Sequence, residues 1–415
     1  MPGQPFRFLQ ASDLHLEQPL HGFAELPAPL RELLIDAPFQ AASRIFEAAV
    51  YEEVDFVILA GDVVDPECVG ARAIAFLLEQ FDLLREHGIA VYWAGGRADV
   101  PQRWPRGATL PDNVIIFPEG DVEEHTHYRD RMPVASIAGT SWQRQQPIRT
   151  SRFRCASSGL FAIAVGYGTL AAEALQQSEI QYWALGGQHA RRTLLTAPCT
   201  VHYAGTPQGR SPDEPGVHGC TIVHVSSDGQ VRLQPLAVDS IRWHDETIGI
   251  GEAARHDDVE RLLQDRIESL RGELGDRSAL VTWTLTGASE HQADFDRRQL
   301  AADLLGSLRQ RFGQGPAPIW TLQIEVEPRA VIPEAWRREE TLLGDFLRAL
   351  EEQSAEGAPP LELATYLADQ EGAEMLLEQV ELLGRPRLQV FEEASMLAAA
   401  LLRGDQSQEK REARS

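Results

Sequence analysis

Three short stretches of this chain carry side chains that could hold a divalent cation. Asp13-Leu14-His15 follows the first apolar run, in the setting ASDLHL. Residues i and i+2 of an extended segment point to the same side, so both side chains can reach one point. Gly61-Asp62 ends a second apolar run as LAGDVVD, and far downstream the run QYWALGG passes into Gln188-His189. Hard divalent cations used in phosphate chemistry take Asp and His at the C-terminal ends of parallel strands, where loops converge. Asp13, His15, Asp62 and His189 are therefore expected to form one metal site. The stretch VYWAGGRADVP has the build of another such strand end, a buried run and then a glycine turn. It presents Arg97 and Ala98 where a metal or a proton transfer would want Asn and His.

Those residues need strands and helices to hold them, and the texture of the chain supplies both. FRFLQAS, VDFVILAG, IAVYWAG, NVIIF, VASIAG, LFAIAVG, QYWALGG, TVHYAG and CTIVHV are short apolar runs ending in Gly, Ser or polar turns. Between the early ones lie the amphipathic segments PFQAASRIFEAAVYEE and GARAIAFLLEQFDLLREHG, the second closed by a glycine cap. That alternation is the pattern of an α/β sandwich, expected over residues 1–238. From residue 239 to 332 the order strand, helix, strand, helix, strand fits a small α+β domain. Residues 333–404 read as acidic, leucine-rich amphipathic helices, among them LGDFLRALEEQ and AEMLLEQVELL, and the polar tail 405–415 is expected to be disordered.

Bulk properties narrow the class. A chain of 415 residues exceeds what one hydrophobic core supports, so several domains are expected. No apolar run approaches the ~20 residues that span a bilayer, and MPGQPFRFLQ has no signal-peptide pattern, which points to a cytoplasmic protein. Cys68, Cys155, Cys199 and Cys220 form no CxxC pair and read as reduced, buried thiols. The net charge of −24 repels nucleic acid. Contact with DNA would need a local basic patch or a partner. Lys410 is the only lysine, and the arginines of RWPR, YRDR and WQRQQPIRTSRFR gather between Arg97 and Arg154.

In order and spacing, RFLQASDLHL, DFVILAGDVVD, YWALGG with its histidine, and YAGTPQGR with the downstream EPGVHGC resemble the calcineurin-like metallophosphoesterases. Among these they are most similar to the DNA-repair exonuclease branch of the SbcD and YhaO type. The resemblance runs from Phe6 to about Pro328. It implies a two-sheet α/β (α+β) sandwich flanked by helices, followed by a small α+β capping domain and a C-terminal helical region. It also implies two Mn²⁺-type ions and hydrolysis of phosphodiesters. Carried over by position, one ion keeps all its ligands: Asp13, His15, Asp62 and His189. The ligands private to the other ion are replaced, by Arg97 for an Asn, Tyr167 for a His and Gly187 for a His. Ala98 stands where the family has the His that assists phosphate and leaving group. At most one Mn²⁺ is therefore expected.

Arg97 is expected to pair with Asp62 or to hold a phosphate oxygen. Tyr167 is expected to fill an emptied cavity rather than to transfer a proton. His125 and His127 share a strand face and are expected to be exposed; His21 and His218 have only loop contacts to offer. By resemblance, a coiled-coil ATPase of the SbcC type is the expected partner, gripped by the C-terminal helices. DNA ends would be reached through the arginine patch or through that ATPase, and a second copy of the chain is a further partner to consider. Three roles are open: an impaired exonuclease homologue in a repair complex, an active one-metal phosphodiesterase using Arg97 as the second cation, and a structural scaffold.

Overall fold

The structure is a computed structural model. It describes residues 4–354 apart from 17, 25, 67–69, 100, 106, 144–147, 155–158, 171–174, 176–178, 251–254, 289–293 and 329–333. Beyond these it describes residues 394, 395, 398 and 402. Cys68, Cys155, the AEMLLEQVELL run and the polar tail lie outside the described residues.

The chain opens with β1 (Phe6–Ala11), α1 (Ala28–Tyr51), β2 (Phe56–Ala60), α2 (Ala71–Glu86), β3 (Ala90–Ala94) and β4 (Val114–Ile116). It turns to β5 (Glu123–Arg129), β6 (Met132–Gly139), β7 (Phe161–Tyr167), β8 (Tyr182–Gly186), β9 (Arg192–Leu195) and β10 (Thr200–Tyr203). It then returns with β11 (Gly219–Val225) and β12 (Val231–Ala237). One six-stranded sheet has the order β12-β11-β1-β2-β3-β4 and the other β5-β6-β7-β8-β10-β9. Strands β1, β2, β3 and β4 run parallel, as do β6, β7, β8 and β10. These two sheets with their flanking helices are the two-sheet α/β sandwich expected from the sequence.

Period-two alternation divides each central strand between two cores. Phe8, Phe56, Ile58 and Tyr92 face the second sheet and meet Ile163, Val165 and Tyr182. The Phe8 and Phe56 rings stack at 5.1 Å, and Tyr182 meets Phe8 edge-on at 5.2 Å. Leu9, Val57, Leu59 and Trp93 face the other way, onto Phe39, Ile45 and Phe46 of α1 and Leu77 and Phe81 of α2. Each such side chain removed from water contributes about 1.5–3 kcal/mol, and β2 is buried on both faces along its whole length.

Two expectations are corrected here. The apolar pattern starts the first helix at Pro38, yet α1 begins at Ala28 and runs through that proline. Leu30, Leu34 and Ala37 of the added turns pack with Leu20, Ile241, Trp243 and Leu280, and this burial outweighs the cost of an interior proline. His127 is not exposed. It lies inside the sandwich, 4.7 Å from the Phe56 ring, with Nδ1 hydrogen-bonded to the Tyr92 hydroxyl at 3.1 Å. Burial lowers its pKa to about 4. His125, on the same face, is partly buried and meets Glu123 at 2.8 Å.

A third sheet follows, in the order β13-β14-β15, built from β13 (Ile241–Gly249), β14 (Ser278–Ala288) and β15 (Ile319–Pro328). Helices α3 (His256–Leu274) and α4 (Asp294–Phe312) connect them. The sandwich and this sheet form one compact unit, and α5 (Glu334–Arg337) and α6 (Leu342–Ser354) belong to a second. Helix α6 covers the LGDFLRALEEQ run; it buries Leu343 and Leu347 and exposes Leu342 and Phe346. Cys199 and Cys220 are buried free thiols. Among the described residues no helix is long and apolar enough to cross a membrane.

Candidate metal centre

The loops after β1 and β2 are laced together at the C-terminal ends of their strands. Asp13 N donates to Gly61 O at 2.8 Å, His15 N to Asp62 O at 2.9 Å and Leu16 N to Val63 O at 3.1 Å. Asp13, His15 and Asp62 sit at φ 55°, 47° and 50°, a left-handed conformation that non-glycine residues seldom adopt and that clusters at functional sites. The second sheet reaches these loops because β8 ends in glycine. A Cβ on Gly186 would lie 1.6 Å from Ala60 O, so only glycine lets the two sheets close at this point.

That approach brings Asp13, His15 and His189 together, with one ligand atom from each within 4.8 Å of the others. The His15 and His189 Nε2 atoms face each other at 3.2 Å. The Asp13 carboxylate accepts the Gly187 N–H at 3.0 Å, and its main-chain oxygen accepts the Thr206 hydroxyl at 2.9 Å. Burial pushes the Asp13 carboxyl up to about 7, reinforced by the nearby Asp62 charge and opposed by the hydrogen bond from Gly187 N–H. Burial lowers His15 to about 3. His189 is raised, chiefly by its hydrogen bond to Glu214, at 2.5 Å from Nδ1 to Oε1.

These residues fit one divalent ion. A carboxylate with two neutral imidazoles is an ordinary donor set for a transition-type cation. The 3.2 Å between the two Nε2 atoms matches the edge of roughly 3.0–3.4 Å between nitrogens each about 2.1 Å from one ion. His15 Nδ1 is buried without a hydrogen-bond partner, so the contact of its Nε2 with His189 is the one that orients the ring among the described hydrogen bonds.

Asp62 stands outside this group. Its carboxylate accepts the Ala98 N–H at 2.9 Å and the Tyr167 hydroxyl. The Tyr167 ring lies against Gly61 and Gly187; a Cβ on Gly187, at φ 92°, would come within 3.0 Å of its Cζ. Burial and the Asp62 charge raise the phenol's pKa, so it is a neutral donor. Tyr167 thus fills the space and also holds a carboxylate. The expected pairing of Arg97 with Asp62 is not formed; a phenol and a backbone N–H meet that carboxylate instead. Arg97 is exposed and makes no ion pair among the described residues.

Two carboxylates escaped notice in the sequence. Asp99 is fully buried and gathers Asp62 N at 2.9 Å, Val63 N at 3.0 Å, Gly96 N at 2.6 Å and Trp93 Nε1 at 2.9 Å. It ties the turn after β3 to the loop after β2, and burial raises it to about 6. Glu214, which grips His189, lies in the EPGVHGC stretch, and that stretch was the one available signal. Burial raises its pKa, but hydrogen bonds from His189 and the Arg210 N–H outweigh this and hold it below the usual value. His218 bridges Thr206 O at 3.1 Å and Glu214 O at 3.0 Å. His21 lies in a loop and donates its main-chain N–H to Arg210 O at 2.9 Å.

Residues 6–160 match the family of calcineurin-like phosphoesterases. An uncharacterized metallophosphoesterase of Bacillus subtilis strain 168, YhaO, is 28% identical over 340 residues, which are 77% of this chain and 81% of the relative. A crystal structure of a Vps29 single mutant from Entamoeba histolytica aligns at 14% identity, over 56% of this chain and 98% of that one, with a TM-score of 0.27. That likeness is too weak to bear on the fold.

Proposed function

We propose, for a chain that carries a calcineurin-like phosphoesterase domain, that Asp13, His15 and His189 bind one divalent cation of the Mn²⁺ type while phosphodiester hydrolysis is weak or lost. The observation that carries this reading is the Tyr167 hydroxyl on the Asp62 carboxylate, at the position the family gives to a second ion. When bound, the single ion would supply Lewis-acid polarisation of a phosphate oxygen. Around it, the Asp99 clamp holds both loops, Gly187 N–H orients Asp13, and Arg97 is left exposed to meet a phosphate oxygen. With Ala98 in place of a His, no acid/base group assists the leaving oxygen, a loss of roughly 10²–10⁴-fold.

On this reading the protein is an SbcD- and YhaO-like exonuclease homologue that binds rather than cleaves, in company with a coiled-coil ATPase. The −24 net charge supports a partner or a local arginine patch as the source of any DNA contact. The exposed Leu342 and Phe346 of α6, on an acidic helix, support docking of a basic partner groove. Isothermal titration with Mn²⁺, together with hydrolysis of bis-p-nitrophenyl phosphate and of linear DNA, tests the proposal. One bound ion and no turnover that Asp62→Ala abolishes is the expected result. Robust Mn²⁺-dependent turnover lost in Asp62→Ala would establish a one-metal phosphodiesterase instead, and no bound ion would leave a scaffold. Deletion of residues 334–415 should leave a soluble core that no longer copurifies with the ATPase.

A further inference from the structure

The loop between β10 and β11 carries no expected ligand, yet it is tied to the metal centre at more points than its length requires. Thr206 N donates to His189 O at 2.9 Å, and the Thr206 hydroxyl donates to Asp13 O at 2.9 Å. Glu214 uses both carboxylate oxygens, Oε1 on His189 Nδ1 at 2.5 Å and Oε2 on the Arg210 N–H at 2.8 Å. The main-chain oxygen of Glu214 meets His218 Nε2 at 3.0 Å, and His218 Nδ1 meets Thr206 O at 3.1 Å. The loop is itself pinned to β13. Trp243 Nε1 donates to Gly209 O at 2.9 Å, Gly216 N to Trp243 O at 2.9 Å, and the Gln208 amide to Ile241 O at 2.6 Å. Glu214 is therefore a fixed carboxylate. It does not reach the ion position; it touches the back of one ligand.

We infer that Glu214 is a positioning residue that holds His189 in the Nδ1–H tautomer with its Nε2 lone pair turned to the ion. The inference rests on the single-ion reading above. A carboxylate behind a metal-binding imidazole fixes the ring and raises its basicity, and removing such a partner typically weakens metal affinity by 10–100-fold. The side chain is half-screened rather than deeply buried, with 18% of Glu214 and 34% of His189 exposed, so the lower part of that range applies.

The full-length chain labelled with ¹⁵N-histidine provides the first readout. Its metal-free spectrum should show His189 with Nδ1 protonated and strongly deshielded. Glu214→Ala should erase that signature while circular dichroism and the melting temperature report an intact fold. Mn²⁺ titration is the second readout: Glu214→Ala should weaken binding about tenfold or more, and Glu214→Gln, which keeps an acceptor without the charge, by less. If His189 shows the Nε2–H tautomer, or if a folded Glu214→Ala protein keeps both signature and affinity, the inference is wrong. Should the alanine variant unfold, the glutamine variant decides by the same two readouts. Absence of Mn²⁺ binding in the unaltered chain would sink the single-ion reading, and the metal-free spectrum would still judge Glu214.

Discussion

Asp13 and Asp62 are near twins that live in different chemistry. Each follows a central parallel strand of the same sheet, each has a left-handed φ, 55° and 50°, and each is at most 6% exposed. Asp13 faces two imidazoles across a space that suits an ion. Asp62 faces a phenol on one carboxylate oxygen and a backbone N–H on the other. The backbone device for presenting a carboxylate is kept in both, so the strain alone does not say what the carboxylate meets. The opposing strand decides: β8 delivers His189 to one, and β7 delivers Tyr167 to the other. Hydrogen-bond donors from side chain and backbone are what Asp62 meets.

The sharpest way to break this contrast is metal affinity. Asp13→Ala should lower Mn²⁺ affinity by more than about 100-fold, since it removes a direct ligand, while Asp62→Ala should change it by less than about tenfold. Equal losses in calorimetric titration would mean that Asp62 is a ligand and the twins are alike. Next comes conversion of one twin into the other. The combined Arg97→Asn, Ala98→His, Tyr167→His and Gly187→His protein should bind a second Mn²⁺ and gain measurable phosphodiesterase turnover, because ligands of one ion act as a unit. Gly187→His alone should instead cost about 1–3 kcal/mol, seen in urea unfolding, as it forces a Cβ at φ 92° within 3.0 Å of Tyr167.

A smaller effect follows from removing one oxygen. Tyr167→Phe should destabilise the fold by about 1–3 kcal/mol by leaving the Asp62 carboxylate short of a donor; an unchanged denaturation midpoint would show that the phenol only fills space. Away from the site, His127 and His202 are each lowered by burial from 6.5 to about 4. The unfolded chain binds their protons first, so their contribution is complete above about pH 6.5 and is lost as pH falls towards 4. Those two groups alone would cost about 5 kcal/mol over that window, while the raised carboxyls of Asp13 and Asp99 act in the opposite direction over the same range. The difference between the unaltered chain and His127→Gln isolates one histidine: it should shrink as pH falls from 7 to 4.5, and a pH-independent difference would contradict the buried, neutral state.

The candidate metal ligands and the carboxylates beside them differ in how far sequence reaches. Asp13, His15 and His189 are legible because strand ends, glycine turns and ligand residue types coincide in short stretches. Asp99 and Glu214 are not, because each acts on groups that fold brings near: Asp99 on main-chain donors 36 and 37 residues away, Glu214 on an imidazole 25 residues away. The burial of His127 is not legible, because EEHTHY is polar throughout, whereas strand pairing turns alternate members of β5 into the sandwich. The start of α1 was missed because proline chemistry is local and the packing of Leu30 and Leu34 is not.

By itself the sequence determined the alternation of strands and helices and the strand ends at which the candidate ligands Asp13, His15 and His189 stand. Periodicity and residue type act over a few residues, and these features need no more. Only the tertiary structure decided that His189 meets His15 rather than Asp62, that Tyr167 holds a carboxylate as well as filling a space, and that Arg97 stays unpaired with its neighbour. Those outcomes depend on how closely two sheets approach, which is set where Gly186 allows Ala60 O to pass, and no local pattern encodes that distance.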